Sequence, residues 1–278
     1  MHRIGSSERP DLALAVIVGA GGMGMAVARR LGQSHRLLLA DRNEEHLKQQ
    51  IAALIAEGHD ATGLACDVSA PADIFTLAER ARSLGPVRTL AYVVGLSPSA
   101  GDFRAIMAVN LAGAAAAAEA FAGVLAAGGC GIFISSSAAH MSAPPRELTT
   151  ILDAPRSPEL IAQLETSLGD NATPATAYAL SKVGLNRMCR RLAAGWGKRR
   201  LRILSVSPGL IATPMGAKEF ENSPAKHRLL AAIPLEREGT MLEIADLVEF
   251  LASPRASFIT GTDILIDGGM IAGLGVGG

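Results

Sequence analysis

Aromatic residues are scarce in this chain: seven Phe, two Tyr and one Trp among 278 residues. A tyrosine in a chemical motif therefore stands out against a low background. Cysteine is as sparse. Cys66, Cys130 and Cys189 are odd in number, far apart and without metal-ligand spacing. That excludes a disulfide framework and a cysteine metal site, predicts no bound metal, and fits a reducing, cytoplasmic compartment with each thiol buried. Neither sign of charge is in excess, since 26 basic residues balance 26 acidic ones. The chain has no long-range pull on nucleic acid or an anionic membrane. The local cluster Lys198, Arg199, Arg200 and Arg202 reads as a solvated helix end. Arg3 and Arg9 ahead of the apolar run from Leu12, with Ala26-Val27-Ala28 beyond it, imitate a secretory signal. Glycines break that run, so no signal peptide is expected, and no other stretch reads as long and apolar enough to span a bilayer.

What the chain does have is core-forming material, with 49% of its residues hydrophobic. Its length suits one large α/β domain. Leu12–Val18 is a continuous apolar run of the kind that lies in a parallel sheet covered on both faces. A glycine-rich turn follows, then a helix over Met25–Leu31 closed by Gly32, then a strand over His35–Ala40 ending at Asp41. The rhythm continues with a helix from Glu44 to about Glu57, a strand near Gly63–Ala65, a helix near Ala72–Ser83 and a strand over Thr89–Val94. An alanine-rich helix is predicted over Phe103–Ala127 and a strand over Ile132–Ile134 that ends in three serines. A helix from about Thr176 to Gly195 and strands over Arg202–Val206 and Asp263–Ile266 complete the pattern. Alternation of this kind predicts a single-domain, Rossmann-type doubly wound parallel sheet. In such a sheet ligands bind beyond the carboxyl ends of the strands, which is where every motif below falls.

Gly19, Gly21 and Gly24 stand in the spacing G-x-G-x-x-G between a strand and a helix. The first permits a tight turn, the second lets backbone approach a pyrophosphate, and the third lets helix pack on strand. Free N–H groups at the helix start attract the phosphates. Asp41, at the end of the next strand, can accept hydrogen bonds from both adenosine ribose hydroxyls and repel a 2′-phosphate, which favours NAD over NADP. Arg42 pulls the other way, because a guanidinium can pair with that phosphate. The plain structural alternative for Asp41 is a helix N-cap.

Tyr178 and Lys182 lie four residues apart in YALSK, on one face of the predicted helix. A free tyrosine titrates near pH ~10. A neighbouring ammonium favours its anion, so the pair suits general acid/base work on an alcohol/carbonyl couple. With two tyrosines and five lysines in the chain, the motif has moderate weight alone and more beside the glycine loop and a serine-ended strand.

Gly19–Gly24, the strand end ISSS, YALSK, Ser207-Pro208-Gly209 and the terminal ITGTDILIDGG resemble the short-chain dehydrogenase/reductase family from about residue 12 to 270. The pattern looks most similar to bacterial hydroxysteroid dehydrogenases and carbonyl reductases, which share a long serine-to-tyrosine segment and a helix end like AAGWG here. The resemblance implies an NAD(P)(H)-dependent oxidoreductase that interconverts a secondary alcohol and a ketone, with a hydroxysteroid or other hydrophobic molecule as substrate. A non-catalytic dinucleotide sensor on the same fold is the alternative. It implies that Tyr178 exchanges the substrate proton, that Lys182 lowers its pKa and holds the nicotinamide ribose, that Ser136 hydrogen-bonds the substrate oxygen, and that Asn110 completes a proton relay through water. Asn110, Tyr178 and Lys182 thus also belong to the cofactor site. Asp67 and Val68 would flank the adenine, and Pro208, Gly209, Ile211 and Thr213 would cradle the nicotinamide amide.

Two departures accompany the resemblance. The glycine loop is one residue shorter than usual, which brings Met23 into it, and the family's N-A-G is Val93-Val94-Gly95 here. The Ile-Ser-Ser pattern selects Ser136, while counting back from Tyr178 allows Ser137. His140 can face the substrate or be an ordinary loop residue, and Trp196 reads as core. Finally, some forty residues separate serine from tyrosine. Within this expected insertion, about 141–176, Ser157 as N-cap and Pro158 at the first helical position open an amphipathic helix. Its apolar face is Leu160, Ile161, Leu164 and Leu168, and it ends at Gly169-Asp170-Asn171. It is expected over the substrate cleft or against a partner subunit, in a homodimer or homotetramer.

Overall fold

The computed structural model describes residues 11–213 and 224–275. Strand β1 (Leu14–Val18) is buried at every residue. Leu14, Val16 and Val18 enter one apolar core, and Ala15 and Ile17 enter another on the opposite face of the sheet. The absence of polar alternation in this run follows from that double cover.

The other strands of the main sheet are β2 (Arg36–Asp41), β3 (Ala61–Ala65), β4 (Val87–Tyr92), β5 (Leu125–Ile134), β6 (Arg202–Pro208) and, last, β9 (Asp263–Ile266). They lie in the order β3-β2-β1-β4-β5-β6-β9. All pairings are parallel. The chain steps outward from β1 to β3, then returns to the far side of β1 for β4. That reversal opens a crevice at the carboxyl ends of the strands. Two short strands, β7 (Ile211–Ala212) and β8 (Gly239–Thr240), pair separately beside it.

Helices α1 (Gly22–Leu31) and α2 (Glu44–Ala56) cover one face. The other face carries α3 (Pro71–Leu84), α4 (Phe103–Met107), α5 (Ala114–Ala122), α6 (Arg146–Leu152), α7 (Leu160–Leu168) and α8 (Pro174–Lys198). Then come α9 (Pro224–Ala231), α10 (Met241–Ala252), which packs on the first face, and α11 (Met270–Gly273). Trp196 is core, as expected: Gly131 leaves room for it, since a Cβ there would lie 2.8 Å from its ring. All three cysteines are free and buried, and burial pushes the Cys66 and Cys130 thiols up to about 12.

Three expectations are corrected. The alanine-rich helix stops at Ala122 rather than Ala127. Beyond Gly123 the chain becomes β5, where Leu125 already pairs with Val87 of β4, so strand pairing overrides the helix propensity of Ala126 and Ala127. The composite helix Phe103–Ala122 is, by length and composition, apolar enough to cross a bilayer, contrary to the sequence reading, but 67% of its apolar window is buried in protein. Third, the segment before Tyr178 holds two helices, α6 and α7, and α7 starts at Leu160 with Glu159 at the N-cap. Ser157 is spent one step earlier, its hydroxyl accepting the Glu159 N–H at 3.2 Å. Gly169 ends α7 at φ +53°, as predicted.

Helix α6 packs on α8 and α7 on α6, and of the expected insertion, about 141–176, Met141 alone lines the cleft. Leu148, Leu152, Leu160 and Leu164 are buried in the core shared with α5 and α8, each burial being worth roughly 2 kcal/mol. Arg187 of α8 grips the Asp153 carboxylate with two bonds of 2.7 and 2.8 Å, and Arg104 grips Glu165 likewise at 2.6 and 2.8 Å. The amphipathic face is therefore satisfied within the chain itself.

Candidate active site

A cleft of about 800 Å³ opens along the carboxyl ends of the strands. Its first wall is the glycine loop. Gly19 sits at φ +103°, and a Cβ there would lie 2.8 Å from the Val94 backbone nitrogen. A Cβ on Gly24 would fall 1.8 Å from the Gly19 carbonyl oxygen, an approach open only to glycine. Gly21, the N-cap of α1, has nothing within 4 Å of its Cβ position. Two glycines thus serve the turn and the helix contact, while the third leaves empty space beside the α1 N-terminus. Met23 lines the cleft next to them.

Asp41 is not a helix cap. Asn43 caps α2, its side-chain oxygen accepting the His46 N–H at 3.0 Å. The Asp41 carboxylate instead accepts Ala20 N–H at 2.9 Å on one oxygen and Asn43 N–H at 3.0 Å on the other. It ties the glycine loop to the end of β2, lines the cleft and keeps acceptor capacity on each oxygen. Arg42 is exposed beside it. Asp67 accepts both the hydroxyl and the N–H of Ser69, and these bonds, with a smaller effect of Arg42, hold its carboxyl below the usual range. Val68 is buried next to it.

The second wall is built from β4, β5 and α8. Lys182 is buried, and its ammonium donates to the Ile134 carbonyl at 2.9 Å. Burial lowers its pKa to about 8, so at neutral pH it is still mostly protonated. Its Nζ stands 5.6 Å from the centre of the Tyr178 ring. Thr173 caps α8 by accepting the Thr176 N–H at 3.2 Å, which fixes the first turn, one turn ahead of Tyr178. Ser135 donates to the Lys182 carbonyl at 3.2 Å and is buried. Ser136 opens a 3-10 turn over Ser137–Ala139, accepting the Ala138 N–H at 3.2 Å, and is more exposed than Ser135 or Ser137. All three serines line the cleft, as do Gly95, Pro208, Gly209, Ile211 and Thr213.

Asn110 is the one predicted residue whose side chain does not line the cleft. It is fully buried in a π-helical turn, Ala108–Gly113, between α4 and α5. Its side chain is occupied with Leu96, accepting its N–H at 2.8 Å and donating to its carbonyl at 3.0 Å. It nevertheless lies near Lys182: a Cβ on Gly95 would be 3.4 Å from Asn110 Oδ1 and 3.5 Å from Lys182 Nζ. π-Turns of this kind recur at functional sites.

Sequence reasoning missed Leu96, Met141, Leu210, Leu229 and Met241 in the lining. A signal for Met241 was present. Thr240 and Glu243 form a capping box that starts α10, and Met241 Sδ lies 3.0 Å from a Cβ position on Gly22. The other four sit in loops or short helices whose position depends on the whole fold.

A doubly wound parallel sheet with a glycine-lined crevice, an acid at the end of β2 and a buried lysine beside a tyrosine defines a dinucleotide-dependent oxidoreductase of the α/β class. Residues 13–147 match the short chain dehydrogenase family, and residues 163–271 match the model described as enoyl-(acyl carrier protein) reductase. The chain is 34% identical to the short-chain dehydrogenase/reductase bsc3 of Alternaria brassicicola, over 92% of this chain and 95% of that protein. It is 30% identical to galactitol 2-dehydrogenase (L-tagatose-forming) of Cereibacter sphaeroides, over 94% and 96% respectively. Among solved structures, a blue fluorescent protein from a metagenomic library, in complex with NADPH, superposes with a TM-score of 0.74 at 24% identity, over 93% of this chain and 97% of that one. The chain belongs to the short-chain dehydrogenase/reductase family, NAD(P)-dependent oxidoreductases acting on CH–OH donors.

Proposed function

We propose that this protein interconverts a secondary alcohol and a ketone, with Tyr178 as the proton donor and acceptor. The observation that carries this reading is the placement of Tyr178, the buried Lys182 and the serine turn in one wall of the cleft whose opposite wall is the glycine loop. A dinucleotide fits the residues present. The open space at Gly21 lies beside free N–H groups of the α1 N-terminus, and the Asp41 oxygens keep acceptor capacity. Gly19, Gly21, Met23 and Gly24 would hold the pyrophosphate, Asp41 the adenosine ribose, Asp67 and Val68 the adenine, and Gly95, Pro208, Gly209, Ile211 and Thr213 the nicotinamide end. When bound, the cofactor supplies the hydride.

The chain's own residues do the rest. Lys182, held at the Ile134 carbonyl, places positive charge behind Tyr178 and eases loss of the phenolic proton. Ser136, the most exposed of the three serines, orients the substrate oxygen toward that hydroxyl. Asn110 holds the loop after β4 in place through Leu96. Asp41 favours NAD(H), because a fixed carboxylate repels a 2′-phosphate. The NADPH in the metagenomic relative and Arg42 at the rim of this cleft make the 2′-phosphate the decisive comparison. Leu96, Met141, Leu210 and Leu229 give the cleft an apolar side and favour a hydrophobic ketone.

The test is a panel of cyclic, aromatic and aliphatic ketones and alcohols, assayed with NADH and NADPH. Turnover with a higher kcat/KM for NADH is expected. Dinucleotide binding without turnover across the panel would instead identify a sensor, and a preference for NADPH would reverse the role given to Asp41.

A further inference from the structure

Tyr178, Lys182 and Asn186 stand one turn apart along α8. The first two belong to the proposed chemistry. Asn186 opens a second polar line that passes behind the serine turn. Its Nδ2 lies 3.5 Å from Ser207 Oγ on β6. Ser207 donates to Asp263 Oδ1 at 3.0 Å, and Ser205 donates to the same oxygen at 2.6 Å. His140 Nε2 meets the other oxygen, Oδ2, at 2.6 Å. The Asp263 side chain is 1% exposed, and among the described residues its only ion-pair partner is His140. A buried carboxylate persists only when donors satisfy it, and here two hydroxyls and one imidazole N–H do so.

His140 is also the end of the serine turn. Its N–H donates to the Ser137 carbonyl at 2.9 Å, and the Ala139 N–H donates to the Ser136 carbonyl at 3.0 Å. The other side-chain bonds of this turn are internal: Ala138 N–H to Ser136 Oγ, and Ser142 Oγ to the Ala138 carbonyl. Ser136–His140 is thus bonded within itself, and the imidazole ties it across to β9.

We propose that His140 and Asp263 are positioning residues, whose bond, seated on Ser205 and Ser207, sets where the serine hydroxyl stands relative to Tyr178. The inference rests on the reading above, that a serine of this turn binds the substrate oxygen. A displacement of about 1 Å at such a hydroxyl costs on the order of a hundredfold in rate. The line is seated on β6, whose end carries Pro208 and Gly209 into the same cleft, so dinucleotide affinity is measured beside kcat to separate the two effects.

The experiment compares His140→Ala, which removes the donor, with His140→Gln, which returns an N–H of similar reach. Asp263→Asn, which replaces one acceptor oxygen with an NH2 donor facing the existing donors, is the companion. On the best ketone of the panel, His140→Ala should lower kcat by about thirtyfold or more, with the dissociation constants of NADH and NADPH within about threefold of wild type. His140→Gln should stay within about fivefold of wild type, and Asp263→Asn should lose at least as much as His140→Ala. Amide hydrogen exchange in the peptide spanning 135–142, measured with saturating NADH and separately with NADPH, should accelerate about tenfold in His140→Ala and not in His140→Gln. Equal loss in the Ala and Gln variants, kcat of His140→Ala within about threefold of wild type, or unchanged exchange in that peptide would overturn the proposal. The exchange measurement needs no substrate and decides the point even if Asp263→Asn fails to fold. Tyr178→Phe run in parallel separates the two readings: an inactive Tyr178→Phe beside a fully active His140→Ala overturns only the positioning role.

Discussion

The two walls of the cleft are made by opposite means. The glycine loop works by lacking side chains: a Cβ on Gly19 or Gly24 would fall 2.8 or 1.8 Å from backbone atoms, and Gly21 leaves space. The serine and α8 wall works by polar side chains held through hydrogen bonds, with Asn186 Oδ1 the exception that finds no partner among the described residues. Lys182 is anchored to Ile134 and Ser135 to the backbone of Lys182, while Asp263 gathers three donors. A wall of absences tolerates no addition. A wall built on paired donors and acceptors loses by subtraction. The contrast predicts that substitutions in the first act on dinucleotide binding, and those in the second on the chemical step.

The largest expected effect lies in the second wall. Tyr178→Phe keeps the ring and removes only the hydroxyl. It should lower kcat by on the order of a thousandfold or more, with dinucleotide affinity within about threefold by fluorescence titration. Near wild-type turnover would dissolve the distinction between the walls. Next comes Gly24→Ala. The new methyl meets backbone, not a movable side chain, so dinucleotide affinity should fall about a hundredfold or the fold should lose on the order of 3 kcal/mol. A variant with unchanged affinity and unchanged melting would show that the loop yields.

Gly21→Ala is the sharper control. Its methyl enters open space in the free protein, so Tm should stay within about 2 °C, while affinity drops about tenfold because the methyl occupies room a pyrophosphate needs. A fall in Tm without a change in affinity would contradict the assignment of that space. The smallest effect is thermodynamic. Lys182 is lowered from 10.5 to about 8 by burial. Between those pH values the unfolded chain binds more protons than the folded one, so the folded protein gains stability as pH rises. Lys182→Met lacks this term. From about pH 7.5 to about pH 9.5, wild type should gain on the order of 1–2 kcal/mol over the variant in urea unfolding. A flat difference would mean that the ammonium is not desolvated as its burial indicates.

Local patterns were legible where one rule acted alone. The apolar run of β1, the spacing of Gly19, Gly21 and Gly24 and the one-turn spacing of Tyr178 and Lys182 depend only on neighbours in the chain. Where two rules competed, the reading failed. Ala126 and Ala127 favour a helix but lie in β5, because Leu125 pairs with Val87. Ser157 and Pro158 announce a helix start, yet α7 begins at Leu160. The amphipathic face of α7 was visible, but the surface it would cover was not. The face belongs to the core of the chain, where Leu160 and Leu164 are buried and α7 packs on α6.

By itself the sequence determined the strand-helix alternation, the spacing of the glycine loop and the one-turn spacing of the tyrosine–lysine pair, because each is a short-range pattern set by backbone geometry or helical period. Only the tertiary structure decided that Asp41 braces the glycine loop rather than caps a helix, that Asn110 holds Leu96, and that His140 reaches Asp263 across 123 positions of chain. Those bonds join residues distant in sequence, and their partners are chosen by how the sheet brings strand ends together.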